Sequence, residues 1–326
     1  MSIIYVVGGQ QKEDATEKEE FHGFRKGVVL RVDTEKAEAE ICLEYVSPPE
    51  VCPDNDPSVL FKVSTVNQGK IYLCTQTEIL IHSFPAFERL GYLSLPCFND
   101  IHHVRPTPQG NLLVANTGLD MVQEISLQGE ILREWDMLDE PLWTRFSRDE
   151  DYRKLPTTKP HKSHPNYIFF VEEEIWVTRC EQKDAVSLTR RGRRIDIGIE
   201  RAHDGKVHDG KVYFTTVNGH IVIADTASLK VLDVIKLGRQ LKKPAWCRGL
   251  YVLDKNRVLV GLSRLRHTQW GANLSWLKGG VNVLKNLAVS PTSVALFDFK
   301  RRKFEWNIRL DIYGISAIFS IHPEEP

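Results

Sequence analysis

The 326-residue chain lacks the features that would tie it to nucleic acid, a membrane or an oxidising compartment. Its 43 basic and 43 acidic residues give no formal net charge, so nothing favours general binding to nucleic acid or anionic membranes. No run approaches the roughly 20 apolar residues of a membrane span, and the amino terminus lacks the basic region of a signal peptide. The six cysteines show no CxxC or paired spacing, which favours reduced thiols. These absences predict a soluble cytoplasmic protein that binds neither nucleic acid nor membranes.

Common catalytic signatures are missing as well. The GxSxG, GxxxxGK[ST] and HExxH patterns do not occur, so the hydrolase and nucleotide-binding classes that they mark are unsupported. Hydrophobic residues nevertheless make up 42% of the chain, which is ample for a large core.

Short runs of β-branched and aliphatic residues recur in groups of four, separated by turns rich in Gly, Asn and Asp. The five complete groups cover 58–95, 100–136, 164–199, 202–237 and 247–310. Their second strands begin near Ile71, Leu112, Ile175, Val212 and Val258, at spacings of 41, 63, 37 and 46 residues. These values bracket the roughly 40–50 residues of a four-stranded propeller blade, once insertions are allowed for.

The two ends of the chain supply a sixth group. Three strands near the amino terminus have no inner strand before them, and one orphan strand at 315–321 follows the last full group. We therefore predict an all-β fold, a single six-bladed β-propeller over 1–326 that is closed by strands from both termini. Such closure removes the exposed edges that invite aggregation.

Three long insertions interrupt the repeats, at 9–26, 137–163 and 264–292. Propeller connectivity places all three on the face where the inner strands begin, and loops carry function more often than the framework does. The insertion at 264–292 is predicted to form a lid that binds substrate, because basic and aromatic residues together suit a ring or an anion. The predicted substrate-binding residues are Arg264, Arg266, His267 and Trp270. Weaker candidates in 137–163 are Trp143, Arg145 and Tyr152.

Histidines stand at the start of three predicted inner strands: His103, His164 and His203. Because inner strands line one central channel, these imidazoles are predicted to converge at one mouth. They suit a divalent metal such as Zn, Fe or Mn held by all three, or acid–base catalysis by His103 and His203. The alternative for each is a hydrogen-bonded structural role. His102 and His208 compete with them, and strand alternation predicts that only one of the adjacent pair at 102–103 enters the channel.

Charged residues flank these histidines. Asp100 and Asp204 are candidates to orient an imidazole through its second nitrogen, and Asp204 is included among the predicted catalytic residues. An Asx turn is the alternative for both. Arg248, in the matching region of the next blade, is a candidate to grip a carboxylate or phosphate, with a structural ion pair as its alternative.

The segment HHVRPTPQGNLLVANTGLDMVQEISLQGEILREW, at 102–135, resembles the blade pattern of NHL-repeat, streptogramin-lyase-like and arylsulfotransferase-like propellers. In that pattern a histidine begins the inner strand, a PxG turn follows, and the next strand opens with an apolar triplet. The copy at 203–225 is a looser match. The resemblance implies that His103 and His203 hold a metal or act as acid and base. The group at 58–95 departs from the pattern because it begins without a histidine, so a four-histidine iron site is not carried over.

Two functions follow from these patterns. The leading hypothesis is an enzyme of lyase, hydrolase, isomerase or oxygenase type that acts on a small, anionic molecule. The alternative is a non-catalytic scaffold for partner proteins. An enzyme predicts histidines hidden in a concave, loop-covered pocket, whereas a scaffold predicts an exposed apolar patch on a flat face.

Overall fold

The computed structural model describes residues 2–13, 23–141, 143–237, 245–264 and 291–324. Within these ranges, 24 strands form six four-stranded antiparallel sheets, which are the blades of a six-bladed β-propeller. The described residues contain no helix with the length and apolarity to cross a membrane.

The first three blades, with strands given from the channel outward, have the following bounds. Blade 1 consists of β24 (Ala317–Pro323), β1 (Ile3–Gln11), β2 (Phe24–Asp33) and β3 (Glu38–Tyr45). Blade 2 consists of β4 (Thr65–Asn67), β5 (Lys70–Cys74), β6 (Ile79–Ser83) and β7 (Arg89–Leu93). Blade 3 consists of β8 (Ile101–Pro106), β9 (Leu112–Asn116), β10 (Met121–Ile125) and β11 (Ile131–Asp136).

The other three blades follow in chain order. Blade 4 consists of β12 (Pro165–Val171), β13 (Glu174–Arg179), β14 (Asp184–Ser187) and β15 (Arg194–Asp196). Blade 5 consists of β16 (Ala202–His208), β17 (Lys211–Thr216), β18 (His220–Asp225) and β19 (Val231–Lys236). Blade 6 consists of β20 (Ala245–Asp254), β21 (Arg257–Arg264), β22 (Ser293–Asp298) and β23 (Lys303–Arg309).

Strands from the two ends of the chain close the ring, as predicted. The inner strand β24 pairs antiparallel with β1, and the Cα partners include Tyr5 with His322. The phenol of Tyr5 also donates a 2.9 Å hydrogen bond to Glu324. The observed inner strand lies two residues further along the chain than the predicted 315–321.

The hydrophobic core lies between neighbouring blades, because alternate residues of each strand point toward the next sheet. Blades 4 and 5 meet through Phe169, Trp176 and Phe214, which are buried in one cluster. Blades 1 and 6 meet in the same way through Leu30 and Leu259. Each such side chain stabilises the fold by about 1.5–3 kcal/mol when it is fully buried.

Five of the six inner strands carry a β-bulge, at which two residues face one on the second strand. The inserted residues are His102 in β8, Asn166 in β12, Asp204 or Gly205 in β16, Gly249 in β20 and Phe319 in β24. A bulge breaks the strict alternation of a strand and re-aims the side chains beside it. The bulges therefore decide which residues face the channel.

The insertion at 137–163 is bound firmly across the face where the inner strands begin. The amide nitrogen of Asn99 donates to the carbonyl oxygens of Tyr152 and Leu155, at 2.7 and 3.0 Å. The ammonium group of Lys154 donates to the carbonyl of Pro49 at 2.8 Å. The insertion predicted at 9–26 is shorter in the structure, because β1 and β2 occupy both of its ends. Most of 264–292 lies outside the described residues.

Candidate functional site

A cavity of about 380 Å³ opens at the end of the channel where the inner strands begin. Four histidines line it: His102, His161, His164 and His203. Its charged residues are Lys62, Lys159, Arg201, Arg248, Asp100 and Glu181. Part of its cover comes from the insertion at 137–163, through Pro156, Thr157, Lys159, Pro160 and His161. The histidines therefore lie in a concave, loop-covered pocket.

The bulge residue His102 presents an unprotonated nitrogen to this cavity. Its Nδ1 lies 2.8 Å from the carbonyl oxygen of Asp100, which can only accept, and 3.5 Å from the ammonium group of Lys62; the much shorter contact to the carbonyl places the proton on Nδ1. Nε2 of this neutral ring is then a bare lone pair. The ring of His164 meets that of His102 edge to face, with centroids 4.6 Å apart.

A chain of hydrogen bonds fixes the tautomer of His164 as well. The hydroxyl of Thr158 donates to the carbonyl oxygen of Gly118 at 2.5 Å, so it accepts from Nε2–H of His161 at 3.3 Å. Nδ1 of His161 is then an acceptor, and Nδ1–H of His164 donates to it at 3.1 Å. The nearest carboxylate oxygen, Oδ2 of Asp100, is 3.8 Å from Nδ1 of His161, which is beyond hydrogen-bond distance. The Nε2 atom of His164 is therefore a second bare lone pair.

The third imidazole, His203, has its proton on Nε2, whereas the other two have theirs on Nδ1. The amide nitrogen of Asn166 donates to the carbonyl oxygen of Ala202 at 2.7 Å, which fixes the orientation of the amide. The same nitrogen lies 2.9 Å from Nδ1 of His203, so Nδ1 accepts and Nε2 carries the proton. The cavity is thus lined by two basic nitrogens and one N–H donor.

Burial and positive charge keep these imidazoles neutral. Burial is the largest cause that lowers the pKa of His102 well below its usual range, and Lys62 lowers it further. For His203 the causes are burial and then Arg248, and for His164 they are burial and then the neighbouring histidines. A neutral imidazole can accept a proton or a metal ion, whereas an imidazolium cannot.

Cations outnumber carboxylates around the cavity. Lys62 is buried and forms an ion pair with Asp100. Burial alone would raise the pKa of Asp100, but Lys62 and the nearby histidines outweigh it, so this pKa lies well below the usual value. The guanidinium of Arg248 lies between two rings, 4.7 Å from the centroid of Trp246 and 5.0 Å from that of Phe319. The surroundings favour an anionic ligand.

The buried carboxylate of Asp120 holds the segment that carries His164. One of its oxygens accepts the backbone N–H of Ser163 at 2.8 Å and that of His164 at 2.7 Å. The other accepts the N–H of Lys162 at 2.9 Å and the guanidinium of Arg145 at 3.0 Å. Three backbone donors and one cation on a single carboxylate make Asp120 a positioning residue for the site.

The prediction that His103 lies at the channel mouth is wrong. Its Nδ1 accepts the backbone N–H of Ile168 at 2.8 Å, and its Nε2 bonds to the hydroxyl of Thr65 at 2.9 Å. The ring is completely buried and stacks on Tyr167, with centroids 4.3 Å apart. His103 therefore links blades 2, 3 and 4, and the bulge places His102 in the channel instead.

The predicted role of Asp204 in orienting an imidazole is wrong too. Its carboxylate accepts from the hydroxyl of Thr215 at 2.5 Å and from the backbone N–H of Leu250 at 3.3 Å, so it ties blade 5 to blade 6. Burial raises the pKa of Asp204. In contrast, His164, His203 and Arg248 line the cavity.

The remaining predicted residues fall into two groups. Trp143 donates to Glu134 at 3.1 Å and Tyr152 accepts from the N–H of Ser147 at 2.7 Å, so both, like Arg145, fasten the insertion. Outside the described residues lie Arg266, His267 and Trp270, together with the side chain of Arg264.

A metal centre built on His103, His164 and His203 is not formed, because His103 is engaged elsewhere. Among the described residues no group of three or more His, Cys, Asp or Glu side chains is arranged to hold a metal ion. Nδ1 of His161 and Nδ1 of His164 are bonded to each other, so neither of these nitrogens is available to a metal ion. The described residues therefore do not form the three-histidine metal site that the sequence predicts.

Comparisons with known proteins extend to the fold alone. No protein-family model and no curated protein matches the chain. A crystal structure of a protein of unknown function from Bacteroides caccae has a TM-score of 0.64 at 14% identity, and the match covers 100% of both chains. The computationally designed Ika8 protein has a TM-score of 0.42 at 9% identity, over 86% of this chain and 70% of its own. The first of these shares the propeller architecture with this chain.

Proposed function

We propose that this protein is an enzyme that binds a small anionic molecule in the histidine cavity and transfers a proton within it. The observation that carries the proposal is the pair of bare Nε2 lone pairs on His102 and His164, opposite the N–H donor of His203. All three line one cavity with Arg248. A base, a hydrogen-bond donor and an anion-binding cation are the elements that proton transfer beside a carboxylate or phosphate requires.

The proposed step begins with an anionic group of the substrate held against Arg248. Nε2 of His102 or His164 removes a proton from an adjacent carbon and becomes an imidazolium. The electron pair stays on the substrate as an enolate-type anion, which the Nε2–H of His203 stabilises by a hydrogen bond. Return of the proton at another carbon gives an isomerase, and loss of a leaving group gives a lyase.

The depressed pKa values are consistent with an anionic substrate. A negative charge among these histidines offsets the effect of Lys62 and Arg248, so it raises the pKa of His102 toward the neutral range that suits a general base. The bound anion therefore makes this imidazole a stronger base for the proton-transfer step.

Two further considerations support an enzyme over a scaffold. The large apolar side chains that are exposed in the described residues are spread over different blades, such as Ile41 in blade 1, Leu90 in blade 2 and Leu232 in blade 5, and do not suggest one flat patch. The blade pattern at 102–135 also resembles lyase-type propellers with histidines at strand starts, and His102 would take that role here.

The test combines ligand binding with isotope exchange. A panel of small carboxylates and phosphate monoesters is incubated with the protein in D2O, and loss of C–H signals is followed by proton NMR. At 100 times its Kd, a true ligand stabilises the fold by about 2.7 kcal/mol, which a thermal shift detects. We expect Arg248→Met to abolish this shift. We expect His102→Gln or His164→Gln to slow exchange by about 100-fold or more while binding is retained.

His208 provides the matched control, since it lies in β16 five residues beyond His203 and outside the cavity. His208→Gln should bind and exchange like the unmodified protein. The proposal fails if no anion raises the melting temperature, if Arg248→Met binds normally, or if exchange is unchanged in both cavity variants.

A further inference from the structure

The opposite end of the channel holds a second, larger cavity. Its volume is about 620 Å³, within the range of small-molecule sites, and it shares no lining residue with the histidine cavity. The inner strands contribute to both: β8 gives His102 to one and Arg105 to the other, and β16 gives His203 and Lys206 in the same way.

Polar side chains separate the two cavities. The backbone N–H of Ser64 donates to the hydroxyl of Ser320 at 2.8 Å, and the hydroxyl of Ser64 lies 2.8 Å from Nε2 of His322. The completely buried His103 lies in the same part of the channel wall, bonded to Thr65. A ligand at one end is therefore held by different residues from a ligand at the other.

Two cations of the second cavity have no acidic partner in the described part of the chain. Arg105 and Lys206 are half-buried, and neither lies within 4.0 Å of a carboxylate there. The carboxylate that lines this cavity, Glu324, is engaged by the phenol of Tyr5 at 2.9 Å and lies 4.0 Å from Arg31. Partly buried cations without a counter-charge are costly unless an anion joins them.

Aromatic rings surround both cations. The guanidinium of Arg105 lies 5.1 Å from the ring centroid of Phe170, and the ammonium group of Lys206 lies 5.5 Å from that of Tyr167. Tyr251, which is half-buried, adds a third ring to the wall of this cavity. Both positive charges also act on His103. Burial is the largest cause that lowers the pKa of His103, and Arg105 and Lys206 are the next two. Both cations line this one cavity.

We propose that this second cavity binds an aromatic anion, with its carboxylate or phosphate between Arg105 and Lys206 and its ring against Tyr251. The cations supply the counter-charge and the rings supply stacking and apolar contact. This site is independent of the proposed catalytic cavity.

Phenyl phosphate, inorganic phosphate and phenol are the probes, and binding is measured by isothermal titration calorimetry. We expect phenyl phosphate to bind more tightly than either fragment alone. We expect Arg105→Met and Lys206→Met to weaken its affinity tenfold or more, and Lys255→Met to leave it unchanged. Lys255 is the matched control because it lies in the turn after β20 and outside the cavity.

Arg248→Met separates this proposal from the catalytic one, because it alters the other cavity only. Retained binding of phenyl phosphate in that variant supports the second site, and loss of binding there assigns the probe to the histidine cavity and overturns the proposal. Absence of binding at millimolar concentration also overturns it, as does an affinity in both Met variants at 105 and 206 equal to that of the unmodified protein. Lys206→Gln provides a second variant if Arg105→Met fails to fold, as judged by its urea midpoint.

Discussion

Stability should fall steeply in mildly acidic solution, because the fold buries neutral histidines. In the folded state, burial is the largest cause that lowers the pKa well below its ordinary value at His102, His103, His164, His203 and His322. The unfolded chain has no such burial, and its histidines titrate near the ordinary value of about 6.5. As the pH drops through that value, the unfolded state takes up protons that the folded state does not. The free energy of unfolding therefore decreases, and it continues to do so until the folded pKa values are reached.

The size of the effect follows from proton linkage. Each such histidine contributes a limiting slope of about 1.4 kcal/mol per pH unit, so five give about 7 kcal/mol per unit. Integrated from pH 7 to 5.5, the loss is about 6 kcal/mol, which is comparable to the whole stability of many domains, about 5–15 kcal/mol. Unfolded carboxyl groups titrate near pH 4 and add little in this window. The raised pKa of Asp204 acts in the opposite direction, because the folded state takes up that proton before the unfolded chain does.

Urea unfolding followed by tryptophan fluorescence at pH 7.0, 6.5, 6.0 and 5.5 would measure this slope. His322→Gln removes one of the five groups, so the loss of unfolding free energy between pH 7.0 and 5.5 should be smaller by about 1.2 kcal/mol. A free energy of unfolding that stays constant over this range would refute the argument, since it would mean that the folded protein binds the same protons as the unfolded chain.

Two further predictions concern residues that support the site. Asp120→Asn should destabilise the fold by about 2–3 kcal/mol, because it weakens hydrogen bonds to a buried charge. It should also weaken ligand binding by displacing His164. Unchanged affinity for the anion that binds the unmodified protein would contradict the positioning role. His103→Gln should lower the urea midpoint, because two buried hydrogen bonds are lost at about 1–3 kcal/mol each. The affinity for the anion should stay unchanged. Loss of anion binding without loss of stability would show that His103 belongs to the site after all.

The blades could be predicted from the sequence, and the exact channel lining could not. Strand alternation and turn residues repeat in every blade, so five groups and the orphan strand at the carboxyl end were sufficient to predict the ring and its closure. The bulges are where this reasoning fails, because one inserted residue reverses the facing of every side chain beyond it. The bulge in β8 places His102 in the channel and turns His103 away from it. The bulge in β16 leaves Asp204 between the blades.

The irregular insertion at 137–163 was the other reason why the lining of the cavity could not be predicted from the sequence. His161 lies there, three residues before His164, and no periodic pattern indicates that both enter one cavity. The left-handed backbone of His164, with φ of 58°, is likewise set by tertiary contacts to Asp120 rather than by local sequence. The contact between Asn166 and His203 could have been predicted only with knowledge of the bulge in β12.

The closing strand also constrains how the protein can be made. Tyr5 and Glu324 are bonded across 319 positions of the chain, and β1 has no inner neighbour until β24 arrives. On the ribosome, blade 1 must therefore wait with one strand edge unsatisfied while the other five blades are synthesised. At about 5–20 residues per second this delay lasts tens of seconds, a period in which chaperones have access to that edge.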